Sequence, residues 1–261
     1  MAFDTLAVRR DGGVLHLTLN RPELRNAMSL AMVGELREAL RDAEADATTR
    51  IVVLRGAGGH FCAGADLKDL AAARAANADA LAETNARFGA LCLAFSRTPL
   101  ALVAVLEGTV MGGGFGLACV ADVAIASETA SFRLPEVSLG LVPAQIGPFL
   151  VERLGYSQAK RLAISAATID ARQALALGLV HEIHASDELD TALGRTLDTI
   201  LRCAPGALSA TKALLAKARF AAPESLVHEA ADVFARAALG SEGLEGTMAF
   251  LQKRKPHWAP Q

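Results

Sequence analysis

Little in this chain of 261 residues points to a metal, a redox centre or a strongly charged partner. Its four cysteines, Cys62, Cys92, Cys119 and Cys203, lie far apart and form no CxxC pair. A zinc knuckle or thioredoxin-like motif is thereby excluded, and free thiols in a reducing cytosol are expected. Acidic residues number 28 and basic residues 26, so the basic excess of a general nucleic-acid binder is missing. No segment approaches the roughly 18–20 consecutive apolar residues that span a bilayer. The longest pure run, residues 100–106, suits a buried strand instead. The N-terminus, MAFDTLAVRR, carries Asp4 and lacks the apolar core of a signal peptide. GxGxxG, GxxxxGK and GxSxG are all absent, and His181-Glu182-Ile183-His184 is not HExxH. That run reads as an exposed strand end, and no metal is expected.

What is present is apolar and patterned. Hydrophobic residues make up 52% of the chain and charged residues 21%, which indicates a globular fold and excludes disorder. Residues 6–9 and 14–19 flank Asp11-Gly12-Gly13 and read as a hairpin. Ser29 is placed to cap a helix through about Glu44, with Leu30, Val33, Leu36 and Leu40 at helical spacing. Residues 51–54 form a short apolar strand, and Asp66 stands at the start of a brief helix. An alanine-rich helix over 78–95 ends at Thr98-Pro99, and the strand 100–106 follows. Five glycines within 108–116 lead into a short helix from about Phe115 to Val120, and residues 123–126 and 131–134 are again strand-like. From Gln145 onward the pattern is mainly helical, with a strand at 179–183 and with Pro205 and Pro223 at first-turn positions. Apolar strands separated by helices argue for a largely buried parallel sheet of α/β type. The last sixty residues read as helices whose apolar faces need the core or another subunit.

Two glycine- and alanine-rich loops follow buried strands. One is Phe61-Cys62-Ala63-Gly64-Ala65-Asp66-Leu67, and the other is Gly112-Gly113-Gly114-Phe115-Gly116-Leu117-Ala118. Small residues at a helix start serve tight packing, or they let a ligand approach free backbone N–H groups at the positive helix end. Two such loops can aim two donors at one oxygen, the geometry of an oxyanion hole. Asp66 itself reads first as a helix cap.

Several segments, in order and spacing, carry a resemblance. They are Asn20-Arg21-Pro22 with Arg25-Asn26-Ala27-Met28, the 61–67 loop, and Gly108 through Gly112-Gly113-Gly114 to Asp122. Leu134-Pro135-Glu136, Leu139-Gly140-Leu141-Val142-Pro143, Ala174 through Gly178-Leu179-Val180, and the tail Phe250-Leu251-Gln252-Lys253-Arg254-Lys255-Pro256 complete the set. Nearly the whole chain resembles the crotonase, or enoyl-CoA hydratase/isomerase, superfamily. The resemblance implies a spiral of ββα turns over residues 1–200, carrying the active site. It implies a helical region over 201–261 that builds trimers, often paired into hexamers, and closes the CoA site. The implied substrate is an acyl-CoA thioester; coenzyme A enters with it, and no separate cofactor is expected. The implied oxyanion donors are the backbone N–H groups of Ala65 and Gly113. Arg25, Ala27, Ala63, Asp66 and Leu67 would lie along the CoA moiety, and Lys253 would meet a CoA phosphate from the same or a neighbouring subunit. Arg25 and Lys253 read equally as solvated surface charges.

Many hydratases of the family use two glutamates. The second is present as Glu136, whereas Gly116 occupies the position of the first and has no side chain. Glu136 is therefore the single acid/base candidate, with Phe132, Leu134 and Leu139 expected to wall it and raise its pKa. Glu107 is expected to serve a turn, and strand alternation sends Arg133 away from Glu136. Gly116 together with Pro143-Ala144-Gln145-Ile146-Gly147-Pro148 is similar to the hydratases of isohexenylglutaconyl-CoA and 3-methylglutaconyl-CoA. The expected activity is hydration of a 2-enoyl-CoA in the cytoplasm. The alternatives are an isomerase, decarboxylase or thioester hydrolase on the same scaffold, or a silent paralogue that only binds or assembles.

Overall fold

A computed structural model describes residues 3–260. Met1, Ala2 and Gln261, at the outer ends of the expected division and of the N-terminal reading, lie outside it. The expected hairpin is formed by β1 (Leu6–Asp11) and β2 (Val14–Leu19), paired antiparallel around Gly12-Gly13. Ser29 Oγ accepts the Met32 amide and starts α1 (Leu30–Ala45). Next come β3 (Ile51–Gly56), α2 (Leu67–Ala76), α3 (Ala78–Arg97), β4 (Ala101–Leu106), β5 (Thr109–Met111) and α4 (Gly113–Val120). They are followed by β6 (Val123–Ser127), β7 (Ser131–Arg133), α5 (Gly147–Ser165), β8 (Thr168–Asp170), α6 (Ala171–Ala176) and β9 (Glu182–His184). Four helices complete the chain: α7 (Leu189–Leu201), α8 (Pro205–Ala218), α9 (Pro223–Leu239) and α10 (Ser241–Leu251). No helix among the described residues is long and apolar enough to cross a membrane.

The strands lie in two layers. A six-stranded sheet runs β1-β2-β3-β4-β6-β9, parallel from β2 onward, and a three-stranded sheet runs β5-β7-β8. Isolated parallel bridges, Met28 with Ala65 and Cys62 with Val110, continue the smaller layer. The chain thus repeats one unit: a strand in the large sheet, a short extended piece in the small layer, then a helix. This is the spiral of ββα turns. Burial on both faces explains why β4 and the first four residues of β3 are apolar. Val52, Leu54, Leu102, Ala104 and Leu106 face the core between the layers, whereas Ile51, Val53, Val103 and Val105 face Leu189, Ala192 and Leu193 of α7. Helices α8–α10 leave large side chains open, with Phe234 74% and Phe250 83% exposed. Arg50 ties the tail to the core, donating to the Trp258 and Cys203 carbonyls.

Three expectations are corrected. The strand expected at 179–183 forms instead at Glu182–His184, because the Leu179 and Val180 amides both turn back to the Ala174 carbonyl and close α6. Their side chains are buried in that turn, which accounts for the apolar signal. Strand β8 lay within a stretch read as helical; three residues, Thr-Ile-Asp, are too few to show a period. Helix α4 begins at Gly113, two residues before the expected start, because glycine carries no helical pattern of its own. Leu54 is fully buried in a central strand. Leu54→Ala is expected to lower stability by about 2–5 kcal/mol, read as an earlier urea midpoint with the helical circular-dichroism spectrum retained.

Candidate active site

The loop after β3 is held on both sides by backbone bonds. Phe61 and Cys62 donate to the Glu107 and Thr109 carbonyls, and Met111 donates back to Cys62. On the other side Ala63 donates to the Arg25 carbonyl, Met28 donates to Gly64, and Asp66 donates to Met28. The Gly64 amide points to Cys62 Sγ at 3.4 Å. Burial pushes that thiol up to about 11, so it stays protonated. Amid these occupied neighbours the Ala65 amide has no acceptor among the described residues.

The second loop follows β5. Gly112 takes a positive φ of 49° and donates to the Arg133 carbonyl, and α4 starts at Gly113. The first hydrogen bond of that helix runs from Gly116 to the Gly112 carbonyl, which leaves the Gly113 amide free among the described residues. A Cβ built on Gly112 would stand 3.5 Å from Gly64 Cα and 3.1 Å from Glu136 Oε1. The two loops and the carboxylate are therefore neighbours, and glycine is required where they meet. Ala65, Gly113 and Glu136 line one cleft of about 440 Å³ between α1, α2, α3 and the 141–146 segment.

Glu136 opens a short helical turn, Glu136–Leu139, after β7. Its Oε2 is buried without a hydrogen-bond partner, and desolvation raises its pKa above the usual glutamate value. The wall differs from the expectation. Leu139 is 60% exposed and does not shield the carboxylate; Leu141, Val142 and Ile146 line the cleft instead. The turn rotates Leu139 outward, which strand-like spacing from Leu134 does not reveal. Phe132 packs edge-on against Phe115 in the core beneath.

Two other acids reach the cleft, and both are engaged. Asp66 caps α2 at the Lys68 amide and pairs with Arg21 at 2.8 Å, which with the cap holds its carboxyl below the usual range. Asp69 accepts the Leu30 amide at 2.7 Å. Gly116 has no room for a third. A Cβ there would collide with Ile146 Cγ2, with Cys92 Sγ 3.8 Å away. Glu107 pairs with Arg55, which also binds Asp190, outside the cleft. Arg133 donates to the Ala166 carbonyl and to Ser138 Oγ, and it does not line the cleft.

The bonds just described set the 25–28 segment, with Arg25 and Ala27, alongside the 63–67 segment, with Ala63, Asp66 and Leu67. Arg25 is exposed in a left-handed conformation, φ 48°, and Leu67 is exposed at the start of α2. Of these residues only Asp66 lines the cleft; Lys253 is exposed after α10, far along the chain from the 25–28 and 63–67 segments. The residue with the largest positioning role that sequence reasoning assigned no role of its own is Asn26. It is fully buried, accepts the Arg21 amide through Oδ1 and donates through Nδ2 to Ala57 and His60. A polar residue in a loop immediately before an apolar pair, Ala27-Met28, was the available signal. Gln145 was also missed; its amide seats against Gly89, a glycine interrupting the alanine-rich helix α3.

Comparison with known proteins follows the same lines. The model of the enoyl-CoA hydratase/isomerase family matches residues 9–261. The 2,3-dehydroadipyl-CoA hydratase of Escherichia coli (strain K12) is 36% identical over 253 residues, covering 96% of this chain and 97% of that protein. Among solved structures, Pseudomonas aeruginosa AtuE has a TM-score of 0.96 at 55% identity, covering 98% of this chain and 100% of that one. An enoyl-CoA hydratase/isomerase from Marinobacter aquaeolei also has a TM-score of 0.96, at 49% identity and the same coverage.

Removing the Asn26 side chain leaves the Ala57 and His60 carbonyls and the Arg21 amide unpaired. Asn26→Ala is expected to cost about 2–4 kcal/mol, measured by denaturant titration. For Glu136 the folded-state pKa is raised, so the folded state favours the protonated acid, and stability falls as pH rises through that pKa. Glu136→Gln is therefore expected to melt higher than the parent protein at pH 8. The two should coincide at a pH below the ordinary glutamate value.

Proposed function

Because the chain belongs to the enoyl-CoA hydratase/isomerase family, we propose that it is an enoyl-CoA hydratase working with one carboxylate. The observation that carries this reading is Glu136 Oε2, buried and unpartnered in the cleft lined by the free amides of Ala65 and Gly113. In the proposed reaction those amides donate to the thioester oxygen. Glu136 takes a proton from water as its oxygen bonds to Cβ, and the Cα–Cβ π electrons move onto the acyl oxygen as an enolate. Return of the proton from Glu136 to Cα collapses the enolate, so that one water is added and the carboxylate is regenerated. Fixed amides stabilise the developing charge without reorganising, an effect on the order of 10²–10³ in rate for one donor. A pKa raised by burial favours a carboxylate that both accepts and returns a proton.

The 25–28 and 63–67 segments are proposed to hold the CoA moiety. Lys253 joins them from this chain or from a second copy seated on the open apolar side chains of α8–α10, as a homotrimer or hexamer acting in the cytoplasm. A branched glutaconyl-type thioester is the proposed substrate class, and the dehydroadipyl-CoA name of the Escherichia coli relative also denotes a carboxylated acyl chain. No Lys, Arg or His lines the cleft among the described residues, so a distal carboxylate meets neutral donors there, with Gln145 among them. The blocked space at Gly116 favours a second reading, isomerisation, in which Glu136 alone carries a proton between carbons. Decarboxylation and thioester hydrolysis share the enolate-stabilising scaffold.

The test is a panel of short, long and carboxylated enoyl-CoA thioesters with products identified by mass. A gain of one water is the expected result. An unchanged mass with a moved double bond, or loss of carbon dioxide, redirects the assignment, and silence across the panel favours a binding or assembly role. Glu136→Gln is expected to reduce turnover by about 10²–10⁴-fold; near-normal turnover would end the assignment of Glu136.

A further inference from the structure

Helix α4, whose first residue supplies the Gly113 donor, is short, and its eight residues, GGFGLACV, carry no charged or strongly polar side chain. Residues Gly114 to Val120 are all buried, so water does not reach the last carbonyls of the helix. Buried helix-end carbonyls need donors from elsewhere. One side chain from α5 provides donors for the Cys119 carbonyl within α4 and for Ala121 just past its end. Arg153 donates from Nε and Nη2 to the Cys119 carbonyl at 3.1 and 3.0 Å, and from Nη2 also to the Ala121 carbonyl. His181 closes the outer side: its Nε2 lies 3.3 Å from Arg153 Nη1, and its Nδ1 accepts the Ala124 amide at 2.9 Å. At its other end the helix is anchored by the Gly112 amide on the Arg133 carbonyl.

We propose that Arg153 is a positioning residue for the oxyanion donor, acting through α4 from the end opposite the cleft. Three features carry this. The guanidinium is a cation at the negative end of the helix dipole, where it complements the positive end that Gly113 presents to the acyl oxygen. Its planar fork fixes two carbonyls at once, which sets the direction of a helix only about 12 Å long. No residue within α4 can do either. Arg153 does not line the cleft that holds Glu136, so its effect belongs to the charge-developing step and not to thioester binding. The inference rests on the hydratase reading and on the Gly113 amide being an oxyanion donor.

The test uses the full chain with Arg153→Met and Arg153→Lys. Each is measured for kcat and KM on an enoyl-CoA that the parent protein hydrates. Each is also measured for the enolate ultraviolet band of bound acetoacetyl-CoA, which reads the oxyanion donors without turnover. Arg153→Met is expected to lower kcat about five- to tenfold and to weaken the enolate band, with KM within about twofold of the parent. Arg153→Lys, keeping the charge but not the fork, is expected to fall between the two. Unchanged kcat and enolate band in folded Arg153→Met overturn the proposal, as does a change confined to KM. If Arg153→Met does not fold, an enolate band in Arg153→Lys equal to that of the parent overturns it. A parent protein that neither hydrates any thioester nor forms the acetoacetyl enolate fails the hydratase reading itself, and this result is distinct from the others.

Discussion

The Ala65 and Gly113 amides, without acceptors among the described residues, stand at the ends of two loops whose backbones are fastened on both sides, and the rest of the cleft is arranged around that fact. Ala65 is exposed and Gly113 half-buried, so both amides face the cleft and not the core, and the bonds of nearby residues keep their loops in place. Ala63, Gly64 and Asp66 are all engaged around Ala65, as are Gly112 and Gly116 around Gly113. Asn26 adds the lateral fastening, because a single buried amide side chain joins the 21–26 turn to the carbonyls of Ala57 and His60. The parallel bridges Met28–Ala65 and Cys62–Val110 make the two loops part of a sheet layer, so the donors sit on rigid backbone.

The same packing decides the acid/base inventory. Asp66 and Asp69 reach the cleft but are consumed by helix starts, and Glu107 by Arg55. Among the described residues Glu136 alone keeps an unpartnered buried side-chain oxygen. The blocked space at Gly116 shows that the missing carboxylate is not an empty vacancy. Ile146 occupies it, so the residue change and the loop after Glu136 form one packed unit.

Much of this was legible beforehand. The hairpin, the caps Ser29 and Asp66, the two-faced apolar strands and the proline starts of α8 and α9 follow from local chemistry that the fold does not override. The failures came where tertiary contacts reassigned a local signal. Leu179 and Val180 look like a strand but close a helix, and Leu139 looks like a wall but turns to solvent. The three residues of β8 act as a strand only because β7 is already there to pair with.

By itself the sequence determined which elements form and which residue types are on hand: small residues at two loops, one glutamate in the Pro-Glu turn and none at position 116. Short-range sterics and periodicity suffice for that, since each depends on a few neighbouring residues. Only the tertiary structure decided which donors stay free, which carboxylates are neutralised by partners, and that Ala65, Asp66, Gly113 and Glu136 share one cleft whereas Arg25, Ala27, Ala63, Leu67 and Lys253 do not line it. Those outcomes depend on contacts between residues as far apart as Arg21 and Asp66 or Arg153 and Cys119. No local pattern encodes where two distant segments meet.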